Sequence, residues 1–178
     1  MERASETDHR YRVAAWWASG KTGLAKSDST PNAIHFAAPP QFGGVHGRWT
    51  PEDLLMAALA SCYTTTFHAM AGYSKLEYTD LSVEAESVVR KTTSGYLFEA
   101  ITLRPSLTIA HEEHRERAHL LLLKAKGLCL VSRALAEEPA FEPHIEIGSR
   151  PRATLGQTCK GPRSASCKFS DPSAAGIH

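Results

Sequence analysis

The sequence predicts an α+β domain in which antiparallel sheets pack against a long central helix. One observation is a helix-start signature at residues 50–53, followed by a segment without formal charge, residues 54–74. A second is a pair of strand-like stretches on either side of a turn at residues 92–95. The third is the composition, 42% hydrophobic and 22% charged over 178 residues, which is typical of one globular domain.

Three short strands are predicted before the central helix. The first covers the aromatic run at residues 11–18, the second lies near Leu24, and the third spans Ala33–Ala37. Glycines between the first two supply turn positions, so an N-terminal hairpin is expected. Residues 39–47 are rich in proline and glycine, and this loop ends the sheet because proline cannot donate to a strand ladder.

The central helix is predicted to begin at Pro51 and to end near Gly72. Thr50 suits the N-cap, Pro51 suits the first helical position, and acidic residues follow at the positive end of the helix dipole. The uncharged segment is long enough to span a bilayer. It also contains serine, threonine and histidine, which favours burial in a protein core, so no membrane span is expected.

A hairpin and a second helix are predicted next. Residues 81–89 alternate as a half-buried strand does, and the partner strand places five apolar side chains on one face: Leu97, Ile101, Leu103, Leu107 and Ile109. The helix begins at about Glu112, with apolar residues at helical spacing: Ala118, Leu121, Leu122, Ala125 and Leu128. Gly127 is expected to interrupt it just before Cys129. A helical turn over residues 130–136 and a strand, His144–Ile147, complete the domain.

The chain is divided into a flexible N-terminus, residues 1–8, a domain over residues 9–148 and a disordered tail, residues 149–178. The tail has almost no large apolar residues, so it cannot bury enough surface to fold alone. The polar start lacks a secretory signal, which predicts a cytoplasmic protein with reduced cysteines. With 20 basic and 19 acidic residues, no nucleic acid partner is expected.

Two cysteines in the predicted domain are candidate redox residues. Cys62 lies in the central helix, where a cysteine is more often a small core residue than a nucleophile. Reactivity needs the thiolate, so a functional Cys62 requires a nearby donor or cation that lowers its pKa. Cys129 follows the second helix, where free backbone N–H groups favour an anion. Cys159 and Cys167 lie in the tail without zinc-ribbon spacing, and no role is assigned to them.

Other polar residues near the central helix are weaker candidates. Glu52 lies ~15 Å before Cys62 along an unbroken helix, too far for contact, and a first-turn carboxylate more often stabilises the helix dipole. His68 lies about 240° around the helix from Cys62, so the two side chains point apart.

The histidines at the start of the second helix, His111, His114 and His119, lack the zinc-protease spacing, and a solvated helix start is the favoured interpretation. Nucleotide-binding and serine-hydrolase motifs are absent from the sequence, and no metal or cofactor is expected.

Two segments carry a resemblance to a known family. Residues 49–62, WTPEDLLMAALASC, resemble the helix-opening signature of the OsmC/Ohr family, in which a Pro-Glu pair precedes the reactive cysteine by ten residues. Residues 124–135, KAKGLCLVSRAL, are similar to the region of the family's second cysteine. The resemblance covers about residues 9–148 and implies an OsmC-like fold in an intertwined homodimer, with two active sites built from both chains.

The resemblance also implies an activity, the reduction of organic hydroperoxides to alcohols. It makes Cys62 the peroxidatic thiol, Cys129 the resolving thiol and Glu52 a polar partner that orients the site. In the implied cycle Cys62 becomes a sulfenic acid and then a disulfide with Cys129, which a dithiol, often of the lipoyl type, reduces. The family also uses an N-terminal arginine to hold the thiolate, a role for which this chain offers only Arg12 or Arg48.

Two alternatives stay open. The first is a non-catalytic small-molecule binding or redox-sensing protein that uses the same apolar pocket between subunits; it is favoured if no cation reaches Cys62. The second is a thiol hydrolase or transferase that pairs Cys62 with a histidine such as His68, which the helical geometry disfavours.

Overall fold

The computed structural model describes residues 9–148. The predicted flexible N-terminus, residues 1–8, and the predicted disordered tail, residues 149–178 with Cys159 and Cys167, lie outside the described residues. The described chain has an α+β fold, as predicted. Its elements are, in order, β1 (Val13–Ser19), β2 (Thr22–Ser27), β3 (Ala33–Ala37), α1 (Pro51–Ser74), β4 (Asp80–Thr92), β5 (Gly95–Ile109), α2 (Arg115–Leu128), α3 (Leu130–Ala134), β6 (Ala140–Phe141) and β7 (His144–Ile147).

The first sheet has the order β1-β2-β3 and is antiparallel throughout. Gly23 allows the ring of Phe36 to lie across β2, because a Cβ at this position would stand 2.3 Å from that ring. The sheet is tied to the start of α1 by the Ala37 N–H, which donates to the Trp49 carbonyl at 2.9 Å.

Helix α1 begins where the sequence predicts. The Thr50 hydroxyl accepts from the Asp53 N–H at 3.1 Å, and the Thr50 N–H donates to the Asp53 carboxylate at 2.9 Å, which forms a capping box. The helix ends two residues later than predicted, because the left-handed cap is Lys75, with φ 54°, and not Gly72. By length and composition α1 could cross a membrane, and part of it is buried within the domain; the absence of a membrane span stays a prediction.

The second sheet is built on the long β4–β5 hairpin, and β6 and β7 both add to β5 in parallel. A register shift between Val88 and Val89 places Phe98 opposite Val89 and Leu97 opposite Arg90. The predicted position of Leu97 on the core face is therefore wrong, because a bulge reverses which residues face the core beyond it. Strand β6 was not predicted from the sequence.

The core lies between the second sheet, α1 and α2. Helix α1 contributes Leu59, Tyr63, Phe67 and Ala71, β5 contributes Leu103, Leu107 and Ile109, and α2 contributes Ala118, Leu121, Leu122 and Ala125. Leu128, predicted on the apolar face of α2, is exposed because the helix ends there and the chain turns into α3. Gly127 does not interrupt α2, which continues to Leu128.

Candidate active site

Cys62 lies in the middle of α1, beside the face that packs into the core. It is half-buried, and its neighbours along the helix, Leu59 and Tyr63, are fully buried. The Tyr63 hydroxyl donates to the Leu122 carbonyl at 3.1 Å and so joins α1 to α2 near the site. Cys62 is therefore held on a rigid, packed helix, with part of its side chain open to solvent.

Cys129 lies at the junction of α2 and α3. Its N–H donates to the carbonyls of Ala125 and Lys126, which closes α2, and its carbonyl accepts from the Arg133 N–H, which opens α3. The side chain is 0% exposed. The sharp junction turns the cysteine inwards and leaves the first amides of α3 without helical acceptors.

The fold brings these two cysteines together, although 67 positions separate them along the chain. Both are free thiols, and their side chains hydrogen-bond to each other. The sequence offered no argument for this proximity beyond the family resemblance, because the packing of α1 against α3 decides it.

Hydrogen bonds lower the pKa of the Cys62 thiol. Burial raises this pKa, but donation from the Val131 N–H, the Cys129 side chain, the Leu130 N–H and the Thr66 hydroxyl outweighs burial. Each of these groups stabilises the thiolate. Cys62 is therefore the more acidic member of the pair.

The environment of Cys129 has the opposite effect. Burial raises the pKa of Cys129, the Ser132 hydroxyl and N–H partly offset it, and the neighbouring Cys62 raises it further. The Ser132 hydroxyl is buried beside this sulfur, and no other residue in the described part of the chain hydrogen-bonds to it. The pair is thus polarised: the Cys62 thiolate accepts a hydrogen bond from the Cys129 thiol. This arrangement is the one expected of a nucleophilic cysteine with a resolving cysteine beside it.

Glu52 lies apart from the thiols within one chain. Helix α1 is continuous from Pro51 to Ser74, so Glu52 and Cys62 are ~15 Å apart along its axis, as the sequence predicts. One carboxylate oxygen of Glu52 is buried and has no hydrogen-bond partner among the described residues. The side chain lines a cavity of about 720 Å³ together with Arg48, Trp49, Met56 and others. A buried carboxylate oxygen without a hydrogen-bond donor is costly, which makes Glu52 unusual for a first-turn carboxylate.

The remaining predicted candidates are placed away from the thiol pair. Arg48 lines the cavity with Glu52, and the Arg12 carbonyl accepts from Asp28 next to β1. His68 Nδ1 pairs with the Tyr78 hydroxyl at 2.7 Å. Within residues 9–148 no group of three or more histidine, cysteine or acidic side chains could hold a metal ion.

Sequence reasoning missed two parts of the site. Thr66 is one helical turn after Cys62, and that spacing alone could have indicated it. The amides of Leu130 and Val131 belong to a predicted helical turn, but their approach to Cys62 depends on tertiary packing that no local signal shows.

The comparisons with known proteins agree with this fold. Residues 44–144 match the family described as OsmC-like protein. An uncharacterised protein of Bacillus subtilis, YmaD, is 30% identical over 146 residues, which cover 79% of this chain and 97% of that one. A crystal structure of an organic hydroperoxide resistance protein, OsmC, from Legionella pneumophila is similar with a TM-score of 0.64 and 21% identity, covering 80% of this chain and 100% of that one. An OsmC-like protein of unknown function from Vibrio cholerae is similar with a TM-score of 0.67 and 16% identity over 76% of this chain and 99% of that one. This chain belongs to the OsmC-like protein family.

Proposed function

We propose that this protein is a thiol peroxidase that reduces organic hydroperoxides to alcohols. The observation that carries the proposal is the adjacent, oppositely polarised pair of Cys62, whose pKa is lowered, and Cys129, whose pKa is raised. A structural cysteine pair gains nothing from this polarity, whereas a nucleophile and its resolving thiol require it.

The proposed cycle has three steps. The Cys62 thiolate attacks the outer oxygen of the hydroperoxide, the O–O bond breaks, and the alkoxide leaves as an alcohol after taking a proton. The Cys129 thiol then gives up its proton and attacks the Cys62 sulfur, which breaks the S–O bond, releases water and forms a disulfide. A dithiol, proposed to be of the lipoyl type, reduces this disulfide in the cytoplasm and is itself oxidised to a disulfide.

A groove with apolar side chains between α1 and the second sheet supports an organic substrate. It is lined by Leu55, which precedes Cys62 by two turns of α1, by Phe98, Ile101 and Leu135, and at its edge by three glutamates: Glu99, Glu137 and Glu138. Its volume is about 450 Å³. A hydrocarbon tail would gain from burial in this groove, and hydrogen peroxide has no tail to bury.

We also propose that the working form is a homodimer. The first sheet presents an apolar face of Val13, Trp17 and Ile34, and these side chains are exposed in one chain. The outer face of α1 is also unusual, because beyond its first turn the exposed positions carry no Asp, Glu, Lys or Arg: Ala58, Ser61, Thr65, His68, Ala69, Gly72 and Tyr73. A solvent-facing helix normally carries charge on that side, so both surfaces suit contact with a second copy.

The homodimer supplies a proposed role for Glu52. Its buried oxygen needs a donor, and a second copy would bring that donor to the cavity that Glu52 lines with Arg48. In a site built from both chains, the pair of Glu52 and a cation would orient the thiol site from the opposite subunit.

The proposal is tested by the rate of peroxide-driven thiol loss in the purified protein. Cumene hydroperoxide and hydrogen peroxide are compared side by side, with Cys62→Ser and Cys129→Ser as variants. Faster consumption of the organic peroxide is expected; Cys62→Ser should abolish it, and Cys129→Ser should stop after a single turnover. Consumption by wild-type protein that equals the Cys62→Ser background would contradict the proposal.

A second candidate is a non-catalytic small-molecule binding or redox-sensing protein. The observation that favours it is that the groups lowering the pKa of Cys62, among residues 9–148, are neutral amides, a hydroxyl and a thiol. Titration with an unreactive analogue, cumyl alcohol, separates the two: tight binding without peroxide turnover supports the second candidate.

A further inference from the structure

We propose that Glu137 makes the groove between α1 and the second sheet selective for uncharged hydroperoxides over hydroperoxides that carry a carboxylate. This inference rests on the proposed function, because it names the class of substrate for the same thiol site. It assigns Glu137 as a specificity-determining residue, which acts on the tail of the substrate and not on the reacting atoms.

The groove lies close enough to the thiols to hold the tail of a substrate. Leu55, on one side, precedes Cys62 by two turns of α1, which is about 10 Å along the axis and nearly the same side of the helix. Leu135, on the other side, directly follows α3, which packs against α1. Leu135 and Cys62 both pack against the same core cluster. A hydroperoxide held by its tail in this groove can therefore reach Cys62 with its other end.

The groove offers no free cation to a carboxylate. Its lining residues within the described part of the chain include three glutamates and no lysine, arginine or histidine. Two cations contact the glutamates of the rim, and each is already paired: Arg90 Nε lies 2.7 Å from a carboxylate oxygen of Glu99, and Lys126 Nζ lies 2.6 Å from one of Glu138. A carboxylate that enters the groove would lose water without gaining a partner for its charge.

Glu137 carries the charge of this rim that is not compensated. It is exposed on the segment between α3 and β6, and none of residues 9–148 forms an ion pair with it. The paired charges at Glu99 and Glu138 largely cancel at a distance, whereas the single charge of Glu137 repels any anion at the groove. An uncharged hydroperoxide meets no such repulsion and keeps the gain from burying its tail against Phe98 and Ile101.

The test uses two unreactive ligands that share one scaffold and differ in charge, cumyl alcohol and its para-carboxylate. Isothermal titration calorimetry measures both dissociation constants, and their ratio is compared between proteins. The wild-type ratio alone is not diagnostic, since any apolar site disfavours a carboxylate. The diagnostic quantity is the change of this ratio in Glu137→Gln and Glu137→Lys.

Glu77→Lys is the matched control, because it makes the same charge change on the surface far from the groove. Glu77 is exposed beyond the C-terminal end of α1, and that end is about 28 Å from Leu55 along the helix.

Glu137→Gln should lower the preference for the alcohol by about twofold to fivefold, the range that one exposed charge supports. Glu137→Lys should lower it further, because repulsion of the carboxylate is replaced by attraction. Glu77→Lys should leave the ratio within about 1.5-fold of wild type, because salt screens charges that are more than about 10 Å apart. Raising the salt concentration from about 0.1 M to about 1 M should move the wild-type ratio toward that of Glu137→Gln, since the screening length falls to about 3 Å.

An unchanged ratio in both Glu137 variants would overturn the inference, as would an equal change in Glu77→Lys or a wild-type protein that binds neither ligand. The titration uses no peroxide, so its outcome is separate from that of the peroxidase assay. A charge preference that depends on Glu137, in a protein that consumes no cumene hydroperoxide, would retain the selective groove and reject the peroxidase. Peroxide consumption with the same ratio in every variant would retain the peroxidase and reject the selective groove.

Discussion

The two sheets of this protein differ in what covers them. The second sheet buries Leu103, Leu107 and Ile109 of β5 against α1 and α2 within the same chain. The first sheet leaves every residue of β1 exposed, and Trp17 is 58% exposed. The second sheet therefore packs against helices of its own chain, whereas β1 of the first sheet packs against no helix of the described chain.

The exposed sheet has one face that differs from an ordinary solvent-facing surface. In the first sheet, Val13, Ala15 and Trp17 of β1 lie on one face with Ala25 of β2 and with Ile34 and Phe36 of β3, and no charged residue lies on that face. The opposite face holds Lys26 and His35 together with Trp16 and Leu24, so it is mixed in character. An exposed sheet face that is apolar and uncharged needs a cover, and the proposed homodimer would supply it from a second copy.

The largest predicted effect is in the core of the second sheet. Phe67 is fully buried at the centre of the α1 face and packs edge-on against Tyr78. Phe67→Ala should reduce the free energy of unfolding by about 3–5 kcal/mol, because it removes a buried ring and leaves a cavity. Urea denaturation followed by circular dichroism measures this loss; a loss below about 1 kcal/mol would mean that this face is not a packed core.

A smaller effect, on assembly, is predicted for the first sheet. Trp17→Asp places a charge on the apolar face and should weaken self-association by at least about 2 kcal/mol, as expected for a central aromatic residue of an interface. Trp16→Asp is the matched control, since Trp16 is the next residue and lies on the opposite face. Sedimentation velocity over a range of protein concentrations measures the change. Equal behaviour of the two variants would exclude this face as the dimer contact.

The extent to which the sequence predicted the fold depends on how local the signals are. The capping residues at Thr50 and Pro51 located the start of α1, and the alternation after it located the β4–β5 hairpin. The bulge after Val88 has no local signature, and so the face of Leu97 was predicted wrongly. The two-residue strand β6 is held by pairing with β5 and carries no pattern of its own.

The same distinction between local signals and tertiary packing applies to the candidate site. Helical spacing places Thr66 beside Cys62, and helix length separates Glu52 from Cys62, so both relations can be read from the sequence. The contact of Cys62 with Cys129 and with the amides of α3 arises from the packing of two helices, for which the sequence alone offers only a family resemblance. The catalytic roles of Cys62, Cys129 and Glu52 stay predictions.

The third comparison is between the half-buried thiol of Cys62 and the buried thiol of Cys129. The pKa of Cys62 is lowered by hydrogen bonds and that of Cys129 is raised by burial, so the thiolate of Cys62 forms first as pH rises. Near neutral pH, alkylation should modify Cys62 at least about tenfold faster than Cys129, and the ratio should fall at higher pH. Mass spectrometry of quenched samples measures both sites. Faster modification of Cys129 would reverse the proposed polarity of the pair.

The smallest predicted effect compares a hydroxyl group in the core that covers the second sheet with a hydroxyl group of the first sheet. The Tyr63 hydroxyl is buried and donates to the Leu122 carbonyl at 3.1 Å, whereas the Thr22 hydroxyl is exposed and donates to the Ser19 carbonyl at 3.0 Å. Tyr63→Phe should reduce the free energy of unfolding by about 0.5–1.5 kcal/mol, since it removes a buried hydrogen bond without opening a large cavity. Thr22→Val should change it by less than about 0.5 kcal/mol, because water replaces the lost contact at the surface. Both free energies of unfolding are measured in protein dilute enough for a dimer to dissociate. If Thr22→Val lowers the free energy of unfolding more than Tyr63→Phe does, the Thr22 hydroxyl is buried within the single chain. The contrast between an exposed first sheet and a buried second sheet would then be wrong.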